Sequence, residues 1–236
     1  MKNRFSIALA LVMALVMAFA SATLADADAT AEFDPDAHIA ALAGSYTELF
    51  KTIAAPEMDD KWLEKCTAIV GEESAEAASE MLRTACTAEI FGQAAIDAYT
   101  QDPDSARFDC YFQGGIVTFV FDGNKVSGLD ADGNEVFAHE YYYVQDIPDV
   151  IACHVYKTDD ADAGEFTYLC LSDDTPAETY HIEFRYGDDL DALGQYYEGK
   201  YAYWLAAGIL SDADDKMIDD CIQLFVDENL ASEEAA

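Results

Sequence analysis

The segment ETYHIEFRYGDDLDAL, residues 178–193, places His181, Glu183 and Arg185 at alternate positions. In a β-strand, residues i and i+2 point to one face about 7 Å apart at Cα. These three therefore share a side, and Ile182, Phe184 and Tyr186 take the other. An imidazole and a carboxylate so spaced can converge on one cation, because zinc accepts nitrogen and oxygen donors and water can complete the tetrahedron. Just upstream, LSDDTPAE brings Ser172, Asp173 and Asp174 to the end of a preceding strand. The short return to His181 suits a hairpin that sets these carboxylates beside the imidazole. The competing reading is a packed strand histidine bonded to a neighbour, with Glu183 paired to Arg185 or to a cross-strand partner.

The other histidines offer less. His139, in EVFAHEYYYV, has Tyr141 and Tyr143 on its face. It supplies a second imidazole only if its strand neighbours the 180 strand, and otherwise packs among aromatics. His154, in IACHVYK, has no partner at a useful spacing and reads as packed, and His38, before the first helix, reads as exposed. DADGNE at 130–135 and DDADAGE at 159–165 begin like calcium loops. Position twelve of such a loop must be a bidentate glutamate; here it is Tyr141 or Leu171, so both read as acidic turns. No nucleophile elbow, phosphate-binding loop, H-E-x-x-H pair or Cys/His dyad is present. Among 47 acidic residues no catalytic carboxylate pair stands out, and the expectation is a protein that is not an enzyme.

The elements that must hold these side chains follow from the pattern of the chain. MKNRF, the apolar run SIALALVMALVMAFA and the small residues Ala20-Ser21-Ala22 read as a secretory signal peptide over 1–25, cleaved after Ala22 or Ala25. The apolar run is short for a membrane span, so an exported protein without membrane insertion is expected, extracellular or in the cell envelope. Residues 26–36 read as a disordered acidic leader, and 37–232 as a single domain. The net charge of −35 repels phosphate backbones and anionic lipid, which argues against nucleic-acid partners. Six cysteines in an exported chain permit disulfides. Cys66 and Cys86, bracketing one helical segment, are the pair first expected.

From residue 37, Ile39, Leu42, Tyr46, Leu49, Phe50 and Ile53 fall on one helical face, and the helical pattern continues to Asp102-Pro103. RFDCYFQ, GIVTFVFD, NKVSGLD, EVFAHEYYYV, IACHVYK, EFTYLCLS and TYHIEFRY then read as strands, separated by turn residues every eight to twelve positions or so. So many short strands close most simply into an antiparallel barrel. After residue 187 the helical pattern returns, and Met217, Ile218, Cys221, Ile222 and Phe225 share a face. The fold class is α+β, a β-barrel flanked by N-terminal and C-terminal helices.

Ser172-Asp173-Asp174, Pro176 in the following turn, and His181-Ile182-Glu183 running into Gly187-Asp188 resemble the metal site of the ZinT/YodA family of exported zinc- and cadmium-binding proteins. That family carries S-D-H, a proline-containing turn, and H-x-H before a glycine, and its three histidines bind the metal. LAGSYTELF, GIVTFVFDGNKVSGLDADGNEVF and YAYWLAAGI resemble its opening, central and closing segments, over residues 40 to 210 or so. The resemblance implies a calycin or lipocalin-like barrel, a bound Zn2+ or Cd2+, and delivery to a metal importer's solute-binding component. His181 is the shared ligand. Asp174 and Glu183 stand where the family has its other two histidines, and an alternative register puts Thr179 in place of one of them. Carboxylates for imidazoles broaden the choice of divalent ion toward harder ones such as manganese or calcium. The family's histidine-rich capturing arm is absent. A second reading is a barrel whose metal site has decayed, binding a small molecule or a protein partner among its 14 tyrosines.

Overall fold

A computed structural model describes residues 33–148 and 152–231. The expected signal peptide and most of the expected leader lie outside these residues. Phe33 to Asp36 do not: Asp34 accepts hydrogen bonds from the backbone N–H groups of Asp36 and Ala37 and caps helix α1, Pro35–Ala41. Proline at the first helical position loses no hydrogen bond, so the helix starts inside the stretch read as leader.

Nine strands among the described residues form one antiparallel sheet. They are β1 Gly44–Glu48, β2 Thr118–Asp122, β3 Lys125–Leu129, β4 Glu135–Glu140, β5 Tyr142–Ile147, β6 Cys153–Lys157, β7 Tyr168–Leu171, β8 Ile182–Gly187 and β9 Ala206–Leu210. Their order in space is β4-β3-β2-β1-β9-β8-β7-β6-β5. The sheet curls strongly. Phe119 on β2 and Phe184 on β8 are three ladder steps apart, about 14 Å in a flat sheet, yet their ring centroids lie 4.8 Å apart. The concave face encloses Tyr46, Phe119, Phe121, Phe137, Phe184 and Tyr186. Only Tyr141 separates edge strand β4 from edge strand β5, but no ladder joins the two among the described residues. The expected closed barrel is a curled sheet.

The remaining helices are α2 Leu49–Ile53, α3 Asp59–Val70, α4 Glu72–Ala85, α5 Gln93–Gln101, α6 Leu190–Leu193 and α7 Asp215–Leu230. A second core, with Trp62, Leu82, Ile222 and Phe225, packs helical side chains against Ala207 and Ile209 on the convex side of β9. Lys65 on α3 pairs with Asp219 on α7 at 2.9 Å.

Three elements depart from the sequence pattern. The apolar face read through residues 39–53 as one helix is interrupted by β1, whose buried Tyr46 joins the concave core. The spacing of Leu42, Tyr46 and Leu49 fits a helix, and pairing with β2 and β9 on both sides overrides it. Residues 206–210, read as helical, are central strand β9, buried on both faces and therefore without alternation. A Cβ at Gly208 would lie 3.1 Å from the Tyr46 Cβ and 3.3 Å from the Phe112 ring, so only a small residue fits there. RFDCYFQ, read as a strand, makes only isolated bridges at Asp109. The Asp109 carboxylate accepts the N–H of Tyr111 and the amide of Gln113, which turns the chain away from a ladder.

All six cysteines are buried thiols. Cys86 neighbours Cys110, and Cys153 neighbours Cys170, each pair within hydrogen-bonding range. The expected Cys66–Cys86 bridge is not formed.

Candidate metal centre

The alternation expected of residues 181–186 is present. Ile182, Phe184 and Tyr186 enter the concave core. His181, directly before β8, and Glu183 and Arg185 on it face the helical layer. Tyr180 adopts a left-handed backbone, φ 66°, an uncommon conformation for a bulky residue. The imidazole of His181 then lies 5.4 Å from the Phe225 ring of α7.

Arg185 does not neutralise Glu183. Its guanidinium donates to the carbonyls of Leu193, Gln195 and Tyr201 and lies over the Tyr196 ring. It latches the loop between α6 and β9.

Glu183 is left with His181, whose Nε2 is 3.7 Å from its Oε1. The His181 Nδ1–H donates to the Thr179 carbonyl at 2.7 Å, which turns Nε2 toward the acids. Metal-binding histidines are oriented by such a bond on the far nitrogen. Asp174 is buried, and its carboxylate accepts a hydrogen bond from the Ser172 hydroxyl at 2.7 Å. Helix α7 closes the site from above, because Cys221, Phe225 and Glu228 lie on one helical face.

The charges are unbalanced. Burial works against the charged form of His181, but hydrogen bonds to Cys221 and Glu183 and the field of Asp174 outweigh it, and its pKa is held well above the ordinary value. Burial raises the pKa of Glu183, with Asp174 adding to the rise and His181 opposing it. Glu228 is pushed up to about 7, by burial first and then by Glu183 and Asp174, against the pull of His181. No lysine or arginine is among the largest influences on Glu183 and Glu228. The Glu228 Oε2 is buried with no hydrogen-bond donor among the described residues.

Of the residues singled out in the sequence, Asp174, His181 and Glu183 come together. His139 does not. It sits on edge strand β4, bonded to Asp160 at 2.7 Å and stacked near Phe137, because β4 lies across the sheet from β8. Thr179 takes part through its carbonyl, while its hydroxyl is bonded to the Thr175 carbonyl. The sequence reading missed Cys221 and Glu228. Cys221 was placed on the apolar face of α7, and the signal for Glu228 was a carboxylate one turn beyond Phe225 on that face.

The donor set fits a divalent ion in kind, since imidazole, thiolate and carboxylate are all zinc ligands. The orphaned Glu228 oxygen and the surplus of buried acid call for a cation. The donors are spread more widely than a closed shell, so the side chains must draw inward to complete one.

Fold and site together define a class: a curled antiparallel sheet whose convex face and C-terminal helix enclose a histidine among carboxylates. Two solved structures are similar to the chain, each at 14% identity, TM-score 0.48 and 85% coverage of this chain. One is the Zn(II)-bound ZinT-like domain of Streptococcus pneumoniae AdcA, 94% covered. The other is Zn(II)-bound AdcA from the same organism, of which 37% is covered. No protein family and no curated protein matches the sequence.

Proposed function

We propose that the protein binds a divalent metal ion, zinc foremost, between β8 and α7, with His181, Glu183 and Asp174 as ligands and Cys221 and Glu228 completing the donor set. The observation that carries this reading is the cluster of Asp174, Glu183 and Glu228 around one imidazole, with Arg185 turned away. Buried carboxylates in excess of their counter-charge are costly, and a divalent cation offsets them. The sequence resemblance at Ser172–Glu183 supports the same three ligands. Export, with buffering of the ion or its delivery to an importer component, is the role that suits the expected signal peptide. Among the described residues no helix is long and apolar enough to cross a membrane.

Because the pKa of His181 is raised, protons compete with the ion already at neutral pH. The affinity is expected to go on rising with pH above neutrality, beyond the ordinary histidine value of about 6.5. The test is a chelator-competition titration with Zn2+, repeated with Cd2+ and Mn2+, on the full chain and on His181→Ala and Glu183→Gln. Loss of a stoichiometric ion in both variants supports the site. Retention of the full wild-type stoichiometry and affinity in both refutes it.

A second reading rests on a different feature, a cavity of about 280 Å³ lined by Phe91, Phe166, Tyr186, Tyr201 and Trp204, with Lys200 among its polar lining residues. An apolar pocket with a few polar groups is the usual form of a small-molecule site. Saturable quenching of Trp204 fluorescence by an aromatic carboxylate, lost in Trp204→Phe and weakened in Lys200→Ala, would favour it.

A further inference from the structure

His38 and His154, one read from sequence as exposed and the other as merely packed, are neither. His38 on α1 and His154 on β6 are both half-buried, with ring centroids 4.7 Å apart. Phe33 covers them, stacked on His154 at 3.7 Å. Each imidazole has one nitrogen held from behind and the other turned toward the Ser172-Asp173 corner at the end of β7. For His154, Nδ1 is bonded to Asp146 at 2.7 Å and Nε2 faces the Asp173 carboxylate at 2.9 Å. For His38, Nδ1 faces the Tyr156 hydroxyl at 2.9 Å and Nε2 faces the Ser172 carbonyl at 2.9 Å.

One neutral tautomer of His38 satisfies both partners, with the Nε2–H donating to the Ser172 carbonyl and Nδ1 accepting from the Tyr156 hydroxyl. In the other, the Tyr156 hydroxyl donates to the Pro35 carbonyl at 2.8 Å and accepts from the His38 Nδ1–H, which leaves the Nε2 lone pair for an ion.

The donors lie within reach of one ion. Two donors each about 2.1 Å from a tetrahedral ion lie about 3.4 Å apart, about half an ångström wider than the 2.9 Å nitrogen–oxygen separations. One donor atom each from His38, His154 and Asp173 lie within 4.8 Å of one another, the one such group among the described residues. Against that spacing of about 3.4 Å, side-chain shifts of about 1 Å close the set.

We infer that His38, His154 and Asp173, with the Ser172 carbonyl, form a second divalent-metal site, separate from the one beneath α7. Tyr156 and Asp146 orient its two imidazoles, the outer hydrogen bonds that metal-binding histidines use. Two imidazoles with oxygen donors select a first-row transition ion over calcium or magnesium. The site joins α1 to the sheet, and consecutive residues serve the two centres: Asp173 this one, Asp174 the other.

The experiment is native mass spectrometry and chelator competition with Zn2+ alone on the full chain, beside His38→Ala, His154→Ala, Tyr156→Phe and His181→Ala. Far-UV circular dichroism checks the fold of each. The wild type is expected to hold two ions. His38→Ala and His154→Ala each keep one, with at least about 100-fold weaker binding of the other, and Tyr156→Phe weakens that same ion about tenfold. His181→Ala loses the remaining ion. If the wild type holds one ion that only His38→Ala and His154→Ala remove, this site stands and the site at His181 fails. If the only ion lost is the one removed by His181→Ala, or if Tyr156→Phe, His38→Ala and His154→Ala all bind zinc like wild type, the inference is overturned.

Discussion

Replacing Glu228 by glutamine is expected to stabilise the metal-free protein, and to do so more at high pH than at low. Burial on α7 beside Glu183 and Asp174 raises the Glu228 pKa from 4.5 to about 7. The folded state thus keeps a proton that the unfolded chain releases. The sign follows: this group favours folding fully below about pH 4.5, and the benefit is lost as pH rises through about 7. A shift of about 2.5 units corresponds to about 3 kcal/mol once the carboxylate is ionised in both states. Near pH 5 the same relation leaves less than about 1 kcal/mol. Glutamine keeps the shape and cannot ionise, so Glu228→Gln removes this cost. Urea denaturation in excess chelator at pH 5 and pH 8 would measure it, with the gain over wild type near 3 kcal/mol at pH 8 and below about 1 kcal/mol at pH 5. Zinc reverses the comparison, because the wild type has the extra donor and gains more from added metal. A variant that is neutral or less stable at pH 8, or a gain independent of pH, would refute the picture of Glu228 as an uncompensated buried acid.

Arg185→Met is expected to cost at least about 3 kcal/mol in urea denaturation, because the carbonyls of Leu193, Gln195 and Tyr201 lose their donor in a buried setting. Gly208→Val is expected to prevent folding, measured as loss of cooperative thermal unfolding, since its branches meet Tyr46 and Phe112 in the centre of the sheet. Oxidative refolding is expected to link Cys86 to Cys110 and Cys153 to Cys170; peptide mapping that finds Cys66 joined to Cys86 would contradict the proximity seen here.

The sequence by itself determined the parts of this protein in which neighbours in the chain are also neighbours in space. Alternation fixed the face shared by His181, Glu183 and Arg185, because the side-chain period of a strand is a local property. The helical face of α7 with Cys221, Ile222 and Phe225 was local in the same sense, as was the turn at Gly123-Asn124 between β2 and β3. The tertiary structure decided what no local period carries. Strands β1 and β9 owe their conformation to ladders with partners far along the chain. Small residues buried on both sides show no alternation, so β9 was read as helix. The surplus of acid around His181 depended on where Arg185 turned and on which face of α7 came down on β8. His38 meets Tyr156, 118 positions away, only because α1 docks across the end of β6 and β7. The metal chemistry of that corner lies in the direction of each ring nitrogen, which the fold sets and spacing along the chain does not.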